Sequence, residues 1–198
     1  MTRAAKLLAL GFRVKSGFAV GVAVSGAHAS PSPAARCNLE LSDPRVEASR
    51  QPYHRGMQAQ DDETEIARLT RVVRASADES VAKLVRELKD AEYRIVGATL
   101  VVGSLIDPTV VANPHVRAHA HEGHLFRTAL ADALRAHDVP STFIVDKSLE
   151  QDAVKALRRP SRSVAAAVNA FGRAFGPPWR ADEKQAATAA WVALARRR

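Results

Sequence analysis

The sequence predicts an α/β fold in the order βββαβαβα, with an extra helix at the C-terminus. Three observations carry this. Apolar, β-branched runs recur near 6–25, 95–103 and 139–146; apolar residues at helical spacing fill 62–88 and 113–134; and the last third is rich in alanine with a helical period.

The first strands are expected at Lys6 to Phe12 and Gly17 to Ser25, with Arg13 and Lys15 in the turn between them. The same thirty residues admit a second reading as an export signal. Met1 to Lys15 is basic, Gly17 to Val24 is apolar, and Ala27-His28-Ala29 has the small-x-small form of a cleavage site. Arg13 and Lys15 divide the apolar stretch and leave its second piece near the lower limit of ~7 residues for such a core, so strands are the preferred reading. A third strand is expected over Ala34 to Ser42, then a polar loop, Pro44 to Gln60, that contains Gln51-Pro52-Tyr53-His54.

Asp62 stands three residues before Glu65 as in a capping box, and Ile66, Leu69, Val73, Ala77, Val81, Leu84 and Leu88 continue at helical spacing. The strand Ile95 to Gly103 leads to a helix opened by Asn113-Pro114, and Val139 to Asp146 is a short buried strand. Ser148 to Arg159 is expected to be a short helix. Val164, Val168, Phe171 and Phe175 mark another, ended by Gly176-Pro177-Pro178. Asp182 and Glu183 open the final helix, with Ala187, Ala190, Trp191 and Leu194 on its apolar side, and Trp179 before it reads as a core or hinge residue.

At 198 residues the chain is long enough for one core, and residues 1–195 are read as a single domain with 196–198 as a basic tail. Cys37 is the lone cysteine, which excludes an internal disulfide and a Cys-rich zinc module and accords with a cytoplasmic location. No apolar run approaches the ~20 residues of a spanning helix, so no membrane role is expected. Residues 1–50 carry 7 basic and 3 acidic side chains, 51–152 carry 12 and 16, and 153–198 carry 10 and 2. The basic C-terminal third, with Arg158, Arg159, Arg162 and Arg173, suits nucleic acid as a partner.

Several stretches resemble the ribonuclease H-like superfamily, in its bacterial branch of Holliday-junction resolvases and YqgF-type nucleases. Gly17-Phe18-Ala19-Val20-Gly21-Val22-Ala23-Val24-Ser25 resembles the second strand of that group, and Val101-Val102-Gly103 its fourth. Phe143-Ile144-Val145-Asp146 with Lys147-Ser148-Leu149 resembles the close of its fifth strand, and Asp182-Glu183-Lys184-Gln185-Ala186-Ala187 the start of its last helix. The resemblance implies a mixed five-stranded sheet flanked by helices. It also implies magnesium or manganese held by carboxylates from the first strand, the fourth or fifth strand and the last helix.

That carboxylate set is incomplete. No Asp or Glu precedes Glu40, Gly103 or Ser104 stands where resolvases would have a glutamate, Lys147 follows Asp146, and Gln185 takes a second acidic position beside Asp182. The chain is therefore expected to be a degenerate offshoot without conventional two-metal nuclease activity, and no cofactor is certain. Asp146, Asp182 and Glu122 remain the catalytic candidates for the alternative reading, a divergent metal-dependent phosphodiesterase acting on branched DNA or structured RNA.

In the helix after Asn113, Val116, Ala120, Gly123, Phe126, Leu130 and Leu134 share the face expected to meet the sheet. His115, His119 and Glu122 border it, while Arg117, His121 and His124 point away. A metal held by His115, His119 and Glu122 is weighed against a plain His119–Glu122 hydrogen bond, and the second is preferred because one helix rarely completes a coordination shell. The capped helix start beside Gly103-Ser104 also offers backbone N–H groups to an anion. The expected ligand-binding set is thus Lys15, Ser16, Gly103, Ser104, Asn113, His115, Arg117 and His119. The leading expectation is a protein that binds nucleic acid or a phosphorylated ligand at the carboxyl end of the sheet. A third is a structural protein that contacts a partner through the loop Pro44 to Gln60.

Overall fold

A computed structural model of the chain describes residues 5–196, so Met1–Ala4 of the export reading and Arg197–Arg198 of the basic tail lie outside it. Strands β1 (Lys6–Lys15), β2 (Phe18–Ala27) and β3 (Ser30–Glu40) form an antiparallel meander. The loop after them holds a 3-10 turn (Glu47–Arg50) and a small hairpin, β4 (His54–Arg55) with β5 (Gln58–Ala59). Then come α1 (Glu63–Asp90), β6 (Tyr93–Val102), α2 (Pro114–Ala136), β7 (Ser141–Val145), α3 (Leu149–Leu157), α4 (Ser161–Phe175) and α5 (Ala181–Arg196). The three helices expected after the last strand are present, and the final one runs through Arg196.

The main sheet has the order β3-β2-β1-β6-β7, with β6 parallel to β1 and β7 parallel to β6. The expected mixed five-stranded sheet is present. Its parallel strands end together, which gathers the residues after β1, β6 and β7 at one edge, where α/β folds place their ligands. β1 is the central strand, so the segment that reads alternatively as an export signal supplies two strands of the core.

Alternation along β1 divides the core into two faces. Leu8, Leu10 and Phe12 join Leu100 and Val102 of β6 beneath α1 and α2. Ala9 joins Val22, Val24 and Val101 beneath α5. Gly11 shows how closely α5 lies on the sheet: a Cβ there would sit 2.0 Å from the Ala186 carbonyl oxygen and 2.3 Å from the Ala190 nitrogen. Ala186, Ala187, Ala189 and Ala190 permit that approach, and α3 and α4 cover the outer side, so α5 is buried well beyond the one apolar side its sequence marks. Trp179 packs on Phe175 at 5.7 Å, and its Nε1 donates to the Val168 carbonyl at 3.1 Å, in keeping with a core role.

Two local details hold the site edge in place. Gly17 takes φ +84 in the β1–β2 turn, and its carbonyl accepts from Leu41 N at 2.9 Å and Ser42 Oγ at 3.1 Å, which fixes the turn beside Lys15. Asp62 caps α1 by accepting from Thr64 N and Glu65 N. The reciprocal half of the expected capping box is absent, because the Glu65 carboxylate is held by Arg68 at 2.7 Å.

Candidate functional site

At the carboxyl edge the remaining carboxylates meet cations. Arg13, near the end of β1, donates through Nη2 to Asp146 Oδ2 at 3.0 Å, and its Nε lies 3.8 Å from Asp182 Oδ1. Lys15 Nζ lies 3.1 Å from the same Asp182 oxygen. Asp146 follows β7 and Asp182 lies in the first turn of α5, so the positions on strand and helix do converge. The result is an ion-pair network in which a guanidinium reaches both carboxylates. A magnesium or manganese ion bound directly by carboxylates needs uncommitted oxygen ligands, and here both acids already have a cation. The residues do not fit that metal.

Glu122, the third catalytic candidate, lies in a different environment. It is 1% exposed and its Oε1 is 2.7 Å from His54 Nδ1, across the polar loop. Helical periodicity alone puts Glu122 on a border of α2, with Val116, Ala120 and Gly123 inward. In the structure Ala118, Glu122, Leu125, Phe126, Ala129 and Leu130 face inward, while Val116 and Gly123 are exposed. The physical reason is that the first turns of α2 pack on the loop carrying Tyr53 and His54, beyond the sheet, and this loop accepts polar partners.

Lys15, Ser16, Gly103, Ser104 and His119 line one cleft of about 290 Å³, together with Arg13 and Arg127. Asn113, His115 and Arg117 do not line it. Asn113 Oδ1 accepts from Val116 N at 3.1 Å, and Arg117 Nη2 donates to the Ala112 carbonyl at 3.3 Å, so both serve the helix start. The cleft wall is the side of α2 from His119 to Arg127, not its capped end.

Arg127 is 6% exposed. Its Nη1 donates to the Ser104 carbonyl at 3.3 Å and its Nη2 lies 3.2 Å from His124 Nδ1. Among the described residues it makes no ion pair. Burial lowers its pKa from the ordinary guanidinium value, yet the group stays charged at neutral pH. A buried cation without a counter-charge raises the free energy of the empty cleft and favours an anion within it.

Histidines form a second cluster at α2's first turns, which shares His119 with the cleft. His115 Nε2 and His119 Nε2 are 3.2 Å apart, and one ring nitrogen each from His54, His115 and His119 lie within 4.8 Å of one another. His121 stands apart, stacked on Tyr53 at 4.7 Å. His124 is drawn below the ordinary imidazole pKa by burial first and by Arg127 second.

Sequence reasoning missed Arg13, Arg127 and His54 as site residues. Arg13, expected in the β1–β2 turn, lies within β1, which runs on past Phe12 to Lys15. The alternation of Phe12, Arg13, Val14 and Lys15 continues the strand, and was the available signal. Arg127 sits between Phe126 and Leu130, a charged residue inside an apolar helical face. His54 has no local signal, since its partner Glu122 is 68 residues away.

A mixed five-stranded sheet flanked by helices thus carries ion pairs, and not an open carboxylate cluster, at its carboxyl edge. No protein-family model matches the sequence, and no curated protein matches it significantly. The structure is similar to that of Thermus thermophilus RuvC in complex with a Holliday junction substrate, with TM-score 0.56 and 10% identity over 94% of this chain and 91% of that one. A second Thermus thermophilus RuvC structure gives TM-score 0.55 at 10% identity, covering 93% of this chain and 92% of that chain. At this identity the likeness establishes the ribonuclease H-like fold.

Proposed function

We propose that this protein binds the phosphate backbone of nucleic acid in the cleft between β1, β6 and α2, without two-metal hydrolysis. The observation that carries this reading is Arg127, a buried guanidinium facing a cleft and lacking a carboxylate partner. Lys15 and Arg13, both paired with carboxylates, line the same cleft and add positive charge to it. Beyond the cleft, Arg158, Arg162 and Arg173 are exposed and extend the cationic surface. Arg159 is excluded from that set. Its guanidinium lies 5.5 Å from the Trp191 ring centroid, and its Nη2 donates to the Ala29 carbonyl at 2.7 Å, so it fastens the β2–β3 turn.

The resolvase whose fold this chain shares was solved with a Holliday junction, which makes branched DNA the first ligand to test. Phosphate contacts dominate nucleic-acid affinity and make it fall with salt. Labelled four-way DNA junctions and structured RNA, titrated at low salt with EDTA present, are expected to bind. Failure of both to bind ends the proposal. Cleavage that requires manganese and disappears in Asp182→Ala would replace it with the phosphodiesterase reading.

A further inference from the structure

We propose that His54, His115 and His119 form a site for one divalent transition-metal ion of the zinc class, oriented by the buried carboxylate of Glu122. Three nitrogen donors from two elements meet here: His54 from the β4–β5 hairpin, and His115 with His119 at i and i+4 on one side of α2. Imidazole donors suit zinc, nickel, copper or iron over magnesium. The separation of 3.2 Å between the Nε2 atoms of His115 and His119 is close to the edge, about 3.4 Å, of a tetrahedron with zinc–nitrogen bonds of about 2.0–2.1 Å.

His54 supplies the independent observation. Its side chain is 3% exposed, and its Nε2 is buried without any hydrogen-bond partner. An orphaned buried ring nitrogen is unfavourable unless a ligand satisfies it. Nδ1 of the same ring is taken by Glu122 at 2.7 Å, so the Nδ1 proton is held there and the Nε2 lone pair is left for a metal. The other carboxylate oxygen, Oε2, is also buried without a partner and lies 3.8 Å from His119 Nδ1. One carboxylate thus stands behind two of the three rings, the arrangement by which outer carboxylates fix the tautomer and raise the basicity of metal-bound histidines.

His115 and His119 are exposed, so their rings have room to adjust, and three histidines would leave one position of a tetrahedral shell for water or another ligand. Three histidines with an open position is the donor set of a catalytic zinc centre, whereas structural sites close all four. His119 also lines the phosphate cleft, which places the open position beside the anion site. The metal site stands on its own observations and does not depend on nucleic-acid binding.

The test uses untagged full-length protein stripped with chelator and loaded with zinc or cobalt(II) in the absence of nucleic acid. Metal content by mass spectrometry and the visible absorption of cobalt are read against circular dichroism as a check of folding. The expected result is one ion per chain and a nitrogen-ligated cobalt spectrum. Both should be lost in the exposed-site variants His115→Ala and His119→Ala and kept in His121→Ala. Glu122→Gln, which preserves shape, should weaken zinc binding by about 10- to 100-fold. Absence of stoichiometric binding, binding that survives the His115→Ala/His119→Ala double variant, or equal loss in His121→Ala would overturn the assignment.

Discussion

Replacing Arg13 with alanine tests whether a side-chain cation has taken the role of a metal. Its Nη2 lies 3.0 Å from Asp146 Oδ2, and the two side chains are 11% and 32% exposed. A fully exposed pair would contribute about 0–1 kcal/mol. Breaking a fully buried one costs about 3–5 kcal/mol. A half-buried charge-assisted bond falls between, so Arg13→Ala is expected to lose about 2–3 kcal/mol. For a domain of this size that is a fall of roughly 5–10 °C in Tm. The loss also leaves Asp146 without its cation and Asp182 with Lys15 alone. Manganese should therefore raise the Tm of Arg13→Ala by mass action while leaving the wild type unchanged. Calorimetric or fluorescence melts with and without manganese read both effects. A loss below about 0.5 kcal/mol, or equal stabilisation of the wild type by manganese, would refute the reasoning.

Other consequences follow from packing and burial. Gly11→Val places side-chain atoms where α5 backbone already lies, 2.0 Å from the Ala186 carbonyl oxygen for the Cβ alone. Urea unfolding should show a loss above about 3 kcal/mol, and a loss under 1 kcal/mol would mean α5 is not seated there. Burial, with a smaller contribution from the Glu87 carboxylate, pushes the Cys37 thiol up to about 12 from 9.0. The folded protein should resist a thiol reagent at pH 8 that labels it fully in urea. Because the folded state keeps the thiol proton longer than the unfolded chain, this group's contribution to stability is present below pH 9 and is lost as pH rises from 9 toward 12. His124 should titrate in NMR below the ordinary imidazole value of 6.5, owing to burial and Arg127, and Arg127→Met should move it upward.

The sheet was legible because its strands alternate or run apolar over the right lengths and its helices carry clear periods. β1 runs on through Arg13 and Lys15, whose alternation with Phe12 and Val14 marks an amphipathic strand end. The phase of α2 was misread for a physical reason. A helical pattern tells which residues are apolar, but the first turns of α2 bury Glu122 against His54 of a loop, and a buried carboxylate carries no hydropathy signal. Arg127 was hidden in the same way, since its charge is buried under a cleft that only the tertiary fold creates. Convergence of Asp146 and Asp182 followed from the family resemblance. The cations that neutralise them, Arg13 and Lys15, are visible as charged residues in β1, but their pairing with residues more than 130 positions away is set only by the tertiary fold.

The proposed role of side-chain cations, and not of a metal pair, is to hold phosphate in the cleft. It is tested most directly by the salt dependence of four-way junction binding in EDTA, comparing wild type with the Lys15→Ala/Arg127→Met double variant. Wild-type binding should be independent of metal, with a log–log salt slope that becomes shallower in the variant by about two units, one for each lost phosphate contact. An unchanged slope and affinity in the variant, or wild-type binding that appears only when magnesium is added, would contradict it.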